Sequence, residues 1–328
     1  MKPAATEQSD VQPLADDNTV VLDSPIRRGV TTIFSLSGNQ IMPLYDACID
    51  AGIRIVHVRH EAAAVFMADA WAQITGEVGV ATLTAGPGIT NGIAPLYSAA
   101  QAESPVLLIS GDSSIAEDGK GAFQEMDQTA ITSPLTKLSH RPMSAAQLAC
   151  SVDLAVNTAM APRRGPVHLA LPFDLLSTES GINALPAVPP AMESPALDAK
   201  SQNMLTELLS TAQRPLILAG PTWAREHMRE ARARLQGALQ VPIVAMESPR
   251  GLNDPSLGTL RDLLAQSDLV VLAGKSLDFT LGFGAGKTFN DNAQIAVLEP
   301  DKRMLERAQS LLGNRLTLAC QVDALQAL

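Results

Sequence analysis

Short runs rich in Val, Ile and Leu recur along the chain, separated by stretches whose apolar residues return every three or four positions. In the first half these runs are Val30–Phe34, Ile53–Val58, Val78–Thr84, Pro105–Ser110 and Pro166–Leu171. They are continuous rather than alternating, as in strands buried on both faces of a parallel sheet. Residues 41–50, 62–75 and 145–161 carry the helical period. In the second of these, Ala62, Val65, Phe66, Ala70 and Ile74 fall on one predicted face, and the pattern stops at Gly76. Residues 111–121 are polar and aperiodic, so a loop is expected.

A proline-rich stretch precedes a second set of runs, at 215–219, 241–245, 269–273 and 295–298, with helices expected over 201–212, 223–238, 259–266 and 301–310. Alternation of this kind predicts an α/β protein with two doubly wound parallel-sheet domains. They are expected over residues 23–177 and 201–328, joined by a linker at 178–200 and preceded by a disordered acidic tail at 1–22. Hydrophobic residues make up 46% and charged residues 18% of the chain, which fits a globular α/β protein. A formal charge of −10 argues against nucleic acid or an anionic membrane as partner, and 3% aromatics leave little for stacking on bases. Cys48, Cys150 and Cys320 are far apart and form no CxxC pair, so neither a disulfide framework nor a zinc site is expected. No signal-peptide pattern and no bilayer-length apolar run is present, which places the expected compartment in the cytoplasm.

Chemistry enters where the second run ends. Glu61 lies at a strand-to-helix junction, on the carboxyl edge of the predicted sheet, where open α/β folds hold their ligands. The plain alternative is a first-turn acid offsetting the positive helix end, worth about 0.3–1 kcal/mol. After the next strand comes Gly86-Pro87-Gly88, a sharp turn whose glycines let another molecule approach the backbone, followed by Thr90 or Asn91 as a helix cap.

Val-Arg-His-Glu-Ala-Ala-Ala at 58–64, Ala-Asp-Ala-Trp-Ala at 68–72 and Gly-Pro-Gly-Ile-Thr-Asn at 86–91 closely resemble thiamine-diphosphate enzymes of the acetolactate synthase and 2-hydroxyacyl-CoA lyase type. The resemblance resumes at Gly121–Met126 and Arg164–Pro172 and extends loosely to the C-terminus. It implies that the first domain binds the cofactor's aminopyrimidine and that the second is the Rossmann-like central domain. It implies Glu61 as the catalytic carboxyl, hydrogen-bonded to the pyrimidine nitrogen N1′, with Gly86, Pro87, Gly88 and Asn91 also binding cofactor. Gly38, Asn39, Gln40, Phe123, Gln124 and Lys137 match substrate-facing positions, Asn39 and Gln40 standing where relatives have smaller residues. No Gly-Asp-Gly motif for magnesium and the diphosphate is found, so no metal site is expected in this chain. Thiamine diphosphate and Mg2+ are expected to be held mainly by a diphosphate-binding domain on a separate subunit, in a hetero-oligomer acting on a small molecule.

Three decoys bear on the cofactors. Gly282–Thr288 looks like a P-loop but is one residue short and follows no clear strand. The five histidines lack zinc spacing; His60 sits beside Glu61, and His168 alternates into the closing strand and is expected to pack. Lys275 stands in place of the arginine of flavin-binding relatives, so FAD is not expected, while ADP or CoA in the second domain stays open. The reading is therefore a subunit or fragment of a carboligase or lyase that makes or breaks a C–C bond next to a carbonyl, on a 2-oxo acid or 2-hydroxyacyl-CoA. The alternative is a non-catalytic nucleotide-binding or regulatory subunit that kept the fold.

Overall fold

The computed structural model describes residues 21–22, 25–177, 196–285 and 288–328. The expectations for residues 1–20 of the acidic tail, for most of the proline-rich linker and for Gly286 and Lys287 of the P-loop-like string lie outside these residues, whereas Val21 and Leu22, expected in the disordered tail, are helical and buried in the core of the first domain.

Two parallel sheets form, as the continuous apolar runs imply. The first contains β1 (Thr32–Ser35), β2 (Arg54–His57), β3 (Gly79–Leu83), β4 (Val106–Asp112), β5 (Ser139–His140) and β6 (Val167–Pro172), in the spatial order β2-β1-β3-β4-β6-β5. Its main helices are α1 (Met42–Asp50), α2 (Glu61–Thr75), α3 (Pro87–Asn91), α4 (Ile93–Gln101), α5 (Gln128–Thr132) and α6 (Ala145–Met160). The second sheet contains β7 (Pro215–Ala219), β8 (Ile243–Ala245), β9 (Leu269–Ala273), β10 (Gln294–Leu298) and β11 (Leu316–Cys320), in the order β11-β10-β9-β7-β8. It is flanked by α7 (Ala199–Thr211), α8 (Arg229–Leu239), α9 (Leu260–Gln266) and α10 (Lys302–Leu312). Every strand pair in both sheets is parallel.

Each sheet buries apolar side chains on both faces. Ile33, Val80, Leu107, Ile109 and Leu169 meet Leu44 of α1 and Val152 and Val156 of α6, whereas Phe34, Ala81, Leu83 and Leu108 meet α2 and α4 on the other side. In the second sheet Val271 and Leu298 face Leu205 of α7, while Leu272 and Val297 face Leu264 of α9 and Leu305 of α10.

Three expectations need correction. Ile53–Val58 is not a fully buried strand: β2 pairs only with β1, and Arg54 and His57 are exposed on this sheet edge. The predicted face of α2 is also displaced. Its buried stripe is Ala64, Val65, Ala68, Asp69 and Ala72, whereas Phe66 and Ile74 are 49% and 72% exposed and Ala70 faces solvent. The cause is a close helix–strand approach: a Cβ added at Gly79 of β3 would lie 1.9 Å from the carbonyl oxygen of Ala68. Only small side chains fit that seam, so the large apolar ones turn outward. Finally, the second sheet has five strands rather than four, with Leu316–Cys320 pairing to β10.

Candidate functional site

Chain order reverses direction between β1 and β3, because β2 lies on one flank of β1 and β3 on the other. The carboxyl ends of these two strands therefore border the first sheet's switch-point crevice. Four segments meet there: Gly38–Gln40 beyond β1, the start of α2 beyond β2, the Thr84–Gly88 turn beyond β3, and the loop leading from β4 to Gln128.

His60 adopts an extended backbone and caps α2, its Nδ1 accepting from the amide of Ala62 at 3.1 Å. Glu61 is thus freed from capping and stands as the first helical residue. Asn91 Nδ2 donates to Glu61 Oε2 at 2.9 Å across 30 residues of sequence. Neither Thr90 nor Asn91 caps α4, whose N-cap is Gly92 with no side-chain bond; Thr90 Oγ1 instead donates to Pro87 O within the turn. The expectation of a cap fails because α3 already continues through both residues. The effect is to orient one oxygen of Glu61 and leave Oε1 for another donor.

Gly86 has φ +58°, and a Cβ there would come within 3.0 Å of Gln124 Cβ; one at Gly88 would come within 2.7 Å of Thr84 Cγ2. The glycines are therefore required by the protein's own packing, Gln124 lying against Gly86 and Thr84 against Gly88, with Pro87 exposed at the crest of the turn. Beyond β4, Glu125 accepts three backbone N–H groups, from Gly119 at 2.6 Å, Gly121 at 2.9 Å and Ala122 at 3.0 Å. Those bonds, Gly119's foremost, hold its carboxyl below the usual carboxylate range. The loop so shaped puts Phe123 72% into solvent and Gln124 at φ +62°, with the buried Gln124 Oε1 lacking a hydrogen-bond partner.

Gln40 is 4% exposed, and both ends of its amide are engaged by the protein itself. Lys137 lies elsewhere. Its ammonium donates to the carbonyls of Thr158 and Ala161 at the C-terminal end of α6, and its own amide donates to Pro166 O. That is the amino side of β6, opposite Glu61, so Lys137 is a helix-end cap by position. His168 is fully buried, hydrogen-bonded at Nε2 to Ser110 Oγ and at Nδ1 to Thr132 Oγ1, both at 2.8 Å. Two contributors escaped the sequence reading. Glu125 was quoted only as part of a motif, although the glycines at 119 and 121 signal a turn with free amides. Thr84 carried no signal of its own.

The second domain has a switch point of its own, between β7 and β9. Arg163 of the first domain reaches it. The guanidinium contacts Glu103 at 2.7 Å, Ser276 Oγ at 2.9 Å, Gly274 O at 2.5 Å and both oxygens of Glu299 at 3.2 and 2.8 Å. A cleft of about 200 Å³, lined by Arg163, Arg164, Trp223 and Asp323 among others, remains beside it. Arg163 is committed to Glu103 and Glu299, Arg164 donates to Gly76 O, and Asp323 accepts from the Leu325 amide. Among the described residues no cluster of three or more His, Cys, Asp or Glu is suited to a metal, and no helix is long and apolar enough to cross a membrane.

Comparison with known proteins adds to this geometry. Residues 19–131 match the model of the thiamine pyrophosphate enzyme N-terminal TPP binding domain, and residues 203–315 match that family's central domain. An acetolactate synthase large subunit from Mycobacterium tuberculosis is 34% identical over 279 residues, covering 83% of this chain and 50% of the relative. Human 2-hydroxyacyl-CoA lyase 2 is 32% identical over 323 residues, covering 84% and 49% respectively. The chain thus spans about half the length of the curated relatives it matches. A thiamine diphosphate-dependent 4-hydroxybenzoylformate decarboxylase from Rhodococcus jostii RHA1 shares the fold, with a TM-score of 0.78 at 22% identity over 95% of this chain and 61% of that one.

Proposed function

The chain belongs to the thiamine pyrophosphate enzyme family, and from that premise we propose that it supplies the aminopyrimidine side of a thiamine diphosphate site in a carboligase or lyase acting on a 2-oxo acid or 2-hydroxyacyl-CoA. The observation that carries this reading is the placement of Glu61 at the switch-point crevice, with Asn91 holding Oε2 and the tightly packed Gly86–Gly88 turn beside it.

These residues fit a flat, nitrogen-bearing ring. Glycines at 86 and 88 keep the turn tight against Gln124 and Thr84, since a Cβ at either position would have to displace one of them. When bound, the cofactor supplies a carbanion next to the substrate carbonyl. The protein's part is proton management. Glu61 Oε1 would exchange a proton with a ring nitrogen of the bound cofactor, and Asn91 holds the other carboxylate oxygen in place. Gln124 packs against Gly86 beside the crevice, and the neighbouring Phe123, 72% exposed, is assigned in this reading to the substrate side.

In this reading magnesium and the diphosphate are held by a diphosphate-binding domain outside these 328 residues, and the complete site forms in an oligomer. Support comes from apolar side chains left in solvent on α2, which begins at Glu61, and on the neighbouring α4. Phe66 and Met67 of α2 and Tyr97 of α4 are 49%, 41% and 54% exposed. A stable interface over that face buries about 1,200–2,000 Å².

The test is Glu61→Gln in the chain assembled with the diphosphate-binding domain. Glutamine keeps the shape and a hydrogen bond but cannot exchange a proton. Deuterium exchange at C2 of bound cofactor, followed by NMR, is expected to slow about 10²–10⁴-fold. A change confined to about 1 kcal/mol of stability, with exchange unaltered, would return Glu61 to a helix-end charge.

A further inference from the structure

Gln40 sits among four segments and touches substrate space with none of its polar atoms. Thr84 Oγ1, just past β3, donates to its Oε1 at 2.6 Å, and its Nε2 donates to Phe123 O at 3.4 Å. Behind it stands Gly111 of β4, where a Cβ would lie 2.5 Å from Gln40 Cβ, so the glutamine fills the space a side chain there would need. The side chain is 4% exposed. Glu125, by contrast, shapes the Phe123 loop only from within, through amides at 119–122.

We propose that Gln40 is a positioning residue that ties the Phe123–Gln124 loop to the strand end carrying the Gly86 turn. Its amide spans the gap between Thr84 and the loop backbone, a span no alanine or glycine in that place can bridge. With the tether made, Gln124 stays packed on Gly86 and Phe123 stays over the crevice, and the width of the substrate space is set by a residue that never contacts substrate. The consequence for turnover rests on the function proposed above; the tether itself does not.

The test uses hydrogen–deuterium exchange of the full chain, comparing wild type with Gln40→Met and Thr84→Val. Methionine keeps the length of glutamine without either bond, and valine removes only the Thr84 donor. Amides at 121–125 are expected to exchange about 3–10-fold faster in both variants, the effect of losing one or two hydrogen bonds. Tryptic cleavage after the exposed Lys120 is expected to accelerate alike, and the amides of α2 to stay unchanged. Gln40→Glu adds a pH profile: its carboxyl accepts from Thr84 at any pH but can donate to Phe123 O only when protonated. Loop protection, corrected for intrinsic exchange, is therefore expected to return as pH falls. In the assembled enzyme turning over pyruvate, Gln40→Met is expected to raise KM about 3–10-fold with kcat nearly constant. Loop exchange equal to wild type in Gln40→Met and Thr84→Val overturns the tether, and a kcat loss with KM unmoved overturns its setting of the substrate space. Thr84→Val keeps the exchange test decisive even where Gln40→Met fails to fold. A null result for Glu61→Gln on C2 exchange removes the proposed function but leaves the loop result standing.

Discussion

A single side chain gains its role here from a partner that lies far away in sequence. Glu61 is legible as a strand-to-helix acid, and the glycine turn is legible as a tight loop. Their connection through Asn91 spans 30 residues, and no local rule announces it. Asn91 read as a cap because asparagine after a Gly-Pro-Gly turn ordinarily caps; the short α3 absorbs it instead. His168 is the opposite case, since its place within the closing strand is enough to predict that it packs, and all six residues of that strand are buried. It also makes the fold acid-sensitive. Burial pushes its pKa down from 6.5 to about 3, so the folded protein keeps the ring neutral while the unfolded chain protonates it. The stabilising contribution is complete above about 6.5 and is lost as pH falls towards 3, with a slope of about 1.4 kcal/mol per pH unit for one proton. Urea unfolding at pH 7, 6 and 5 is expected to show this slope in wild type. A shallower one is expected in His168→Gln, whose amide can still bond Ser110 and Thr132.

Elements were easier to find than their faces. Strand and helix positions follow from runs and periods, and α2 ends at Gly76, φ +79°, where the pattern said it would. Size and period point to Phe66 and Ile74 as buried residues of α2, yet both are exposed. Contact with β3 selects instead for size, and Gly79 is the residue that sets the spacing. Gly79→Ala tests this. Its Cβ cannot fit 1.9 Å from the Ala68 carbonyl oxygen, so helix and strand must separate. A loss of about 1–3 kcal/mol is expected in denaturant melts, the usual cost of overpacking. Because α2 carries Glu61 at its other end, the Glu61–Asn91 pairing should loosen with it. Two short strands went unread for a different reason: β5 has two residues and β11 mixes Thr and Ala into its run, too little pattern to stand out.

At the scale of the molecule, the carboxyl edge of the second sheet abuts the amino side of the first. Arg163 joins them through two carboxylates, Glu299 at 2% and Glu103 at 10% side-chain exposure. Arg225 adds bonds to Gln73 Oε1 at 2.5 Å and to Ala102 O at 2.7 Å. Removing the shared cation strands two buried acids, which typically costs about 3–5 kcal/mol. Arg163→Met is therefore expected to split a single calorimetric transition into two, one for each sheet. Adding Glu103→Gln should recover part of the loss. Sequence pointed to two domains but not to their lock, since an arginine beside Pro162 reads as one more solvated charge.

The strand order has a further consequence, for how the chain is made. β6 is the last strand of the first sheet in sequence, yet it lies between β4 and β5, and β5 pairs with nothing else. A nascent chain synthesised only as far as β5 has four strands in register and an open flank on β4, whose Leu107 to Ile109 are destined for full burial. The first domain cannot close while it is being made until Val167–Pro172 has left the ribosome. Its apolar edge is most vulnerable to capture by another chain during that interval. Residues 139–167 thus set the length of a waiting period in synthesis, a constraint on the gene that the finished protein no longer displays.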